Sequence, residues 1–130
     1  MSVRCLIVDD STLFLETASR ILHDGGLTVV GVVSSRAEAL AQVQETRPDV
    51  ALVDVVLGLD SGIDLAHELA ADTAPDRTRV ILISSLSADD FADLMAETPA
   101  IGFLPKSRLS AAAVEELLAD ADFSDRGDAS

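Results

Sequence analysis

The chain contains no tryptophan and no tyrosine, so its only aromatic side chains are four phenylalanines. It has a single cysteine, Cys5, which excludes an internal disulfide and a cysteine-rich zinc site. Basic residues are also scarce, because nine Lys and Arg stand against 23 Asp and Glu, a formal net charge of −14. Nucleic acids and anionic membrane surfaces are bound by clustered cations, and we therefore expect neither contact from this domain.

Long hydrophobic runs are absent too. No apolar segment approaches the roughly 20 residues of a membrane span, and the chain does not begin with a basic and then apolar leader. What is present is a hydrophobic fraction of 48% in 130 residues, which suffices for one domain with a sizeable core. These features predict a soluble, acidic domain of the cytoplasm.

Apolar runs of strand length alternate with stretches of helical period, giving five βα units. The predicted strands are 3–8, 28–33, 50–53, 80–83 and 102–104. The predicted helices are 11–23, 35–46, one that ends near 72, 88–98 and 110–122. Because the strands are apolar throughout, we expect a parallel sheet that is covered on both faces, with right-handed crossovers between its strands.

Several local expectations follow from this pattern. The first helix places its apolar residues at helical spacing, namely Leu13, Phe14, Ala18, Ile21 and Leu22. Gly58 and Gly62 mark a loop after the third strand, and Gly62 suits a position with positive φ. Residues 1–123 form the predicted domain, and the polar residues 124–130 form a flexible tail or the start of a linker.

The residues that carry chemistry stand where the predicted strands end. Asp9 and Asp10 follow the first strand, Asp54 the third, Ser84 the fourth, and Lys106, the chain's only lysine, follows the fifth. In an open parallel sheet, ligands bind outside the carboxyl ends of the strands. We therefore expect these side chains to meet at one edge of the sheet.

Three neighbouring carboxylates repel one another and favour a bound cation. Oxygen ligands with room for water suit Mg²⁺. A hydroxyl and an ammonium beside such a metal are the groups that stabilise a phosphoryl group in transfer. One of the carboxylates then serves as a nucleophile that forms an acyl phosphate.

Four segments, in order, resemble the receiver domain of bacterial two-component response regulators, and the resemblance extends from Val3 to about Asp122. The segments are Leu-Ile-Val-Asp-Asp ending at 10, Pro-Asp-Val-Ala-Leu-Val-Asp ending at 54, Ile-Leu-Ile-Ser-Ser ending at 85 and Gly-Phe-Leu-Pro-Lys ending at 106. The sequences of these segments are most similar to those of the NarL/LuxR-type subfamily, whose members usually carry a C-terminal helix-turn-helix domain. The resemblance implies a flavodoxin-like (βα)5 fold with strand order 2-1-3-4-5.

The resemblance also implies roles for the acidic residues. Asp54 matches the phosphoacceptor, which takes a phosphoryl group from the phosphohistidine of a sensor kinase. Asp10, the Asp54 carboxylate and the backbone carbonyl of Val56 match the direct Mg²⁺ ligands. Asp9 matches the acid that holds the metal through water. The domain would assist its own phosphorylation and dephosphorylation, as a signalling module and not as a metabolic enzyme.

Lys106 matches the lysine that pairs with Asp54 and then with a phosphoryl oxygen. Ser84 and Phe103 match the switch pair, in which the ring moves inward once the hydroxyl is drawn to the phosphate. The expected consequence is a change on the output face, by which we mean the predicted helix 88–98, strand 102–104 and helix 110–122. That face is also where a homodimer would form.

Hydrolysis of the acyl phosphate needs an oriented water. By resemblance, the side chains that orient it are those two residues after Asp54 and two after Ser84, which here are the apolar Val56 and Leu86. We therefore expect a long-lived phosphorylated state. Two departures from the family are that Ser107 replaces the usual proline after Lys106, and that the commoner aromatic at Phe103 is tyrosine.

Other interpretations remain open at this point. The fold also suits a Mg²⁺-dependent phosphatase or phosphotransferase, although the chain leaves no length for a cap domain, or a docking module whose acidic pocket is vestigial. Asp9 and Asp10 alone are also compatible with a simple helix N-cap. The chain is either a stand-alone receiver or the N-terminal part of a DNA-binding regulator.

Overall fold

The computed structural model describes residues 3–57, 60–71, 78–85 and 98–128. Its strands are β1 (Arg4–Val8), β2 (Thr28–Val33), β3 (Val50–Asp54), β4 (Val56–Leu57), β5 (Asp60–Ser61), β6 (Arg79–Ser84) and β7 (Gly102–Pro105). Its α-helices are α1 (Thr12–Asp24), α2 (Arg36–Thr46), α3 (Gly62–Ala70) and α4 (Ala111–Asp128), and a 3-10 turn spans Lys106–Arg108. Residues 88–97 of the predicted helix 88–98 lie outside the described residues, and residue 98 is not helical.

Five strands form one parallel sheet in the order β2-β1-β3-β6-β7. These are the five predicted strands, so the predicted order 2-1-3-4-5 and the flavodoxin-like fold are confirmed. The central strand β3 is buried at every residue. Its uninterrupted apolar sequence up to Asp54 is the consequence, because a central parallel strand has no face in contact with water.

Two hydrophobic clusters cover the two faces of the sheet. On β1, Cys5 and Ile7 point into the cluster that contains α1 and α4, whereas Leu6 and Val8 point into the cluster that contains α2 and α3. This alternation is the two-residue period of a strand. The sheet therefore lies between two helical layers, with its edge strand β2 partly exposed.

Serine caps each of the four described α-helices. The side chains of Ser11, Ser35, Ser61 and Ser110 each accept a hydrogen bond from the backbone N–H three residues later. Such a cap satisfies one of the free donors in the first turn. Of the predicted capping box at Ser35, the bond from the Glu38 N–H to the Ser35 hydroxyl is confirmed, and that hydroxyl also donates to the Glu38 carboxylate at 3.3 Å.

The structure differs from the sequence prediction in three places. The apolar face of α1 is formed by Leu15, Ala18 and Leu22, while Leu13 is 75% exposed. The predicted loop after β3 contains the antiparallel pair β4–β5, whose two-residue strands are too short to show a period. The last helix continues to Asp128, beyond its predicted end near 122, because no proline interrupts it. The backbone of residues 124–128 is therefore helical, where the sequence predicted a flexible tail or a linker, and the domain boundary at 123 stays a prediction.

Within the described part of the chain, no helix is both long enough and apolar enough to cross a membrane.

Candidate functional site

Three carboxylates meet at the carboxyl edge of the sheet. Strands β1 and β3 are neighbours with Val8 opposite Val53, so the residues that follow them, Asp9 and Asp54, emerge side by side. Asp10 joins them, and one oxygen from each of the three lies within 4.8 Å of the others. Asp9 is wholly buried and Asp54 is 8% exposed, whereas Asp10 faces solvent.

The two oxygens of Asp9 have different surroundings. Oδ1 accepts a hydrogen bond of 2.8 Å from the backbone N–H of Ser11, the residue that caps α1. Oδ2 is buried and has no partner in good hydrogen-bond geometry, although the ammonium of Lys106 lies only 2.6 Å away. We call the carboxyl edge of the sheet with Asp9, Asp10 and Asp54 the acidic edge. It thus holds a buried oxygen that can still accept a hydrogen bond.

Lys106 follows β7 and turns its ammonium back over the acidic residues. Its Nζ lies 3.2 Å from Oδ2 of Asp54 and 2.6 Å from Oδ2 of Asp9. Burial by itself lowers the pKa of this ammonium, but its close ion pair with Asp9, its hydrogen bond to Asp54 and the negative charges of both carboxylates outweigh burial and raise the pKa. Lys106 is therefore a firmly protonated cation at neutral pH.

The pKa of Asp54 is subject to opposing effects. Burial is the largest of them and raises its pKa, and the negative charge of Asp9 adds to that effect. The backbone N–H of Val56, which donates to Oδ1 at 3.2 Å, and the ammonium of Lys106 act in the opposite direction. The pKa remains raised overall, so the ionised form of Asp54 is held at a cost that a further cation would offset.

Gly62, at the start of α3, lies against the backbone of Asp54. A Cβ built on Gly62 would overlap the carbonyl oxygen of Asp54, and the Gly62 N–H donates to the carbonyl of Val55 at 2.9 Å. The expectation of a positive φ at Gly62 is wrong, because among the described glycines only Gly26 has one. Glycine is required at position 62 for the close approach and not for its dihedral angles.

The acidic residues fit a hard divalent cation. Three carboxylates and one ammonium leave the site with two uncompensated negative charges when all are ionised. The ligand atoms are all oxygens and include an exposed carboxylate, as suits Mg²⁺ with part of its water shell retained. The buried Oδ2 of Asp9, without a well-formed hydrogen bond, is a further group that a metal-bound water would satisfy.

The other predicted site residues in the described part of the chain lie at the carboxyl edge of the sheet or in a strand that leads to it. Ser84, which is 4% exposed, ends β6 opposite Pro105, the residue before Lys106. Phe103 is half-buried in β7 and packs against the hydrophobic cluster that contains α2 and α3. The side chain of Val56 is 58% exposed beside Asp54. Leu86 lies outside the described residues.

Phe14 is a residue that the sequence analysis treated only as part of an apolar helix face. Its ring lies against Lys106, with Nζ 4.5 Å from the ring centroid. The available signal was its position four residues after Asp10, in the first turn of the helix that begins at the acidic edge. Spacing along the chain gives no hint, however, of a contact with a residue 92 positions later.

Comparisons with known proteins agree with this geometry. Residues 5–119 match the family described as the response regulator receiver domain. The signal receiver domain of the response regulator NarL from Mycobacterium tuberculosis is 31% identical, with a TM-score of 0.79 over 91% of this chain and 97% of that chain.

Two curated relatives are longer than this chain. The response regulator GacA of Pseudomonas viridiflava is 32% identical over 80% of this chain and 48% of its own length. A protein-glutamate methylesterase/protein-glutamine glutaminase of Halobacterium salinarum is 35% identical over 65% of this chain and 24% of its own length. The chain thus spans less than half of these relatives.

Proposed function

The chain belongs to the response regulator receiver domain family, and we propose that its Asp54 accepts a phosphoryl group from the phosphohistidine of a sensor histidine kinase. One observation carries the proposal: the buried carboxylate of Asp54 lies beside Asp9 and Asp10 and within 3.2 Å of the only lysine ammonium. A nucleophile, a cation-binding edge and a compact positive charge are the parts that phosphoryl transfer needs.

The proposed step is a direct displacement. An oxygen of the Asp54 carboxylate forms a bond to phosphorus, the bond between phosphorus and the imidazole nitrogen of the donor breaks, and the nitrogen keeps the electron pair. Lys106, already 3.2 Å from Oδ2, follows the charge onto a phosphoryl oxygen. Most of the rate gain comes from position and charge, since little covalent chemistry is left to the protein.

We assign the metal to the same edge of the sheet. Asp10, the Asp54 carboxylate and the backbone carbonyl of Val56 are the proposed direct ligands of Mg²⁺, and Asp9 holds it through water. When bound, the cation neutralises charge on the transferring group and on the carboxylates. The support is the oxygen-only ligand set and the two negative charges that Lys106 leaves uncompensated.

The signal leaves the site, on this proposal, through Ser84 and Phe103. The phosphoryl group favours the state in which the Ser84 hydroxyl has moved toward it, and the Phe103 ring then turns inward. Ser84 ends β6 and Phe103 lies in the neighbouring strand β7, so the two residues connect the acidic edge with the output face. Docking to a partner or homodimer formation on that face is the proposed output.

The wider setting follows from the family. The kinase uses ATP, so we place the reaction in the cytoplasm. The domain contributes to its own phosphorylation and dephosphorylation without being a metabolic enzyme. Since relatives such as GacA are about twice the length of the matched region, transcription control through a C-terminal DNA-binding domain is the proposed role of the whole protein.

Intact-mass measurement after incubation with acetyl phosphate and Mg²⁺ tests the proposal. Wild type should gain the mass of one phosphoryl group, and Asp54→Asn should gain none. Asp64→Asn is the matched control, because Asp64 is an exposed carboxylate outside the acidic cluster. Removing Mg²⁺ with a chelator should abolish the gain in wild type and in Asp64→Asn. A wild-type mass that stays unchanged would favour the vestigial docking module, and steady turnover of a small phosphomonoester would favour the phosphatase.

A further inference from the structure

The ammonium of Lys106 has an aromatic neighbour as well as two anionic ones. Nζ lies 4.5 Å from the centroid of the Phe14 ring, within the distance at which a cation interacts with the negative face of an aromatic ring. The Lys106 side chain is only 20% exposed, so most of its surroundings are protein and not water. Within the described residues, Asp9, Asp54 and Phe14 lie around this charge.

The position of the ring is fixed from the acidic edge itself. The backbone N–H of Phe14 donates to the Ser11 hydroxyl at 3.3 Å, and the backbone N–H of Ser11 donates to Oδ1 of Asp9 at 2.8 Å. The ring is half-buried and packs against the hydrophobic cluster that contains α1 and α4. These two hydrogen bonds therefore fix the backbone of Phe14 relative to Asp9, the carboxylate that the ammonium also contacts.

We propose that Phe14 is a positioning residue, whose ring holds the Lys106 ammonium where it reaches Asp9 and Asp54 and so sets the rate of phosphoryl transfer. The part that concerns rate rests on the proposed function of Asp54. An aliphatic side chain at position 14 would fill similar space but would lack the electrostatic attraction of a ring face for a cation. The ammonium would then be free to sample positions from which it does not reach the phosphoryl oxygen.

The chain offers an unusually direct spectroscopic test, because Lys106 is its only lysine. Protein made with ¹⁵N-labelled lysine gives a single side-chain ammonium signal, without any phosphodonor present. In wild type we expect ring-current shifts and slow exchange of the ammonium protons with water. In Phe14→Leu the ring-current shift should vanish and the exchange should accelerate, whereas Phe14→Tyr should keep both properties.

The rate is tested separately with acetyl phosphate and Mg²⁺. Phe14→Leu should slow phosphorylation of Asp54 by about threefold to tenfold, in line with the strength of a partly desolvated cation–π interaction. Phe14→Tyr should keep the wild-type rate. Mono-, di- and trifluorinated phenylalanine at position 14 should slow it step by step, since fluorine weakens the ring face with little change in volume. A merely structural role for Phe14 would not produce that graded series.

The outcomes separate this inference from the proposed function. If wild type is not phosphorylated, the proposed function fails, and the ammonium signal still decides whether Phe14 holds Lys106. An ammonium signal that is the same in wild type and Phe14→Leu would overturn the contact. A signal that shifts while the phosphorylation rates of Phe14→Leu and the fluorinated series stay constant would overturn the positioning role. Thermal unfolding of each variant shows whether a slow rate reflects loss of fold.

Discussion

Asp54 is buried in a way that suits a nucleophile better than it suits the stability of the fold. Its raised pKa, caused first by burial and then by the charge of Asp9, means that the ionised carboxylate is less favourable in the folded chain than in the unfolded one. The cost is absent below the unfolded pKa, where both states are protonated. It develops as the pH rises from the unfolded pKa to the folded pKa and is fully present above the folded pKa.

We therefore expect Asp54→Asn to stabilise the fold at neutral pH in the absence of Mg²⁺, by about 0.5–2 kcal/mol. The gain should shrink as the pH falls toward the ordinary range of an aspartate. Urea unfolding at several pH values measures it. Asp49→Asn is the control, because that exposed carboxylate accepts a hydrogen bond from the Arg4 amide and should give no such gain. A destabilised Asp54→Asn protein would contradict the assignment.

Lys106 is the second residue whose chemistry is specific. Its Nζ fits within 2.6 Å of Asp9 and 3.2 Å of Asp54, with the ring of Phe14 beside it. A planar guanidinium is larger and presents its donors as a fork, so it does not replace a compact ammonium in that space.

Lys106→Arg should accordingly slow phosphorylation by about tenfold or more, which is less than the ~10²–10³-fold cost of deleting an electrostatic donor outright. Signalling to the output face should also suffer. The matched change, Arg108→Lys on the exposed side of the same turn, should leave both unchanged. Acetyl phosphate kinetics with intact-mass detection distinguish the two, and normal phosphorylation with normal switching in Lys106→Arg would show that the choice of lysine has no chemical basis.

We expect the lifetime of the phosphorylated state to depend on Val56 and Leu86. The Val56 side chain is 58% exposed beside Asp54, so it is accessible to an incoming water but offers no group to orient it. Val56→Asn should speed hydrolysis by up to about 10²-fold, the scale of one well-placed proton-transfer group. Decay of the phosphorylated mass at constant Mg²⁺ measures this in Val56→Asn, in Leu86→Glu and in the double variant.

A second exposed valine provides the control for that experiment. Val32 is 45% exposed on the edge strand β2, which β1 separates from the strand that carries Asp54, so Val32→Asn should decay like wild type. Equal decay in wild type and in all of the variants at positions 56 and 86 would move control of lifetime away from these two side chains.

Among the elements, the junction between β3 and α3 is the most tightly constrained. A Cβ on Gly62 would overlap the Asp54 carbonyl oxygen, which is a backbone atom that cannot rotate away. Gly62→Ala should therefore cost about 1–3 kcal/mol of stability or more, as overpacking does. It should also slow phosphorylation, because the backbone of Asp54 has to shift.

Gly31→Ala is the matched control for Gly62→Ala. A Cβ at Gly31 would meet only side-chain atoms of Gln42 and Leu6, the nearest at 3.4 Å. Urea midpoints and phosphorylation rates of the two variants should diverge. Similar midpoints for both would mean that the start of α3 moves without cost.

The helices and strands show which parts of the fold the sequence could predict and which it could not. Strands such as β3 were predictable because burial on both faces demands an unbroken apolar run. The pair β4–β5 was not, because two residues carry no period. Leu13 and Leu15 are both apolar, and only packing of α1 against the sheet decides that Leu15 is buried. Strand order followed from the family resemblance and not from the strands themselves.

For the site, residues at strand ends were predictable because parallel strands end at one edge. Asp9, Asp10, Asp54 and Lys106 come together as expected. The contact of Phe14 with Lys106 was not predictable, because it joins the first turn of α1 to the end of β7 and depends on the tertiary fold.

For the whole molecule, the proposed route from the acidic edge to the output face runs through β6 and β7. Ser84 and Phe103 lie on these neighbouring strands, and β7 packs closely on α4, where a Cβ at Gly102 would stand 2.7 Å from the Leu117 side chain. A shift of β7 is therefore transmitted to α4, since packed interiors do not deform freely.

Adding beryllofluoride and Mg²⁺, which mimic the phosphorylated state, should shift the NMR signals of Phe103 and of α4 residues such as Leu117. The cause is the population shift that the phosphoryl group imposes on Ser84. Ser84→Ala should still bind the mimic at the acidic edge but lose the distant shifts. Val29, on the edge strand β2 at the far side of the sheet, provides an internal reference that should not move. NMR is required because a chain without Trp and Tyr gives little intrinsic fluorescence. Wild-type shifts confined to Asp9, Asp54 and their immediate neighbours would contradict a switch through β7.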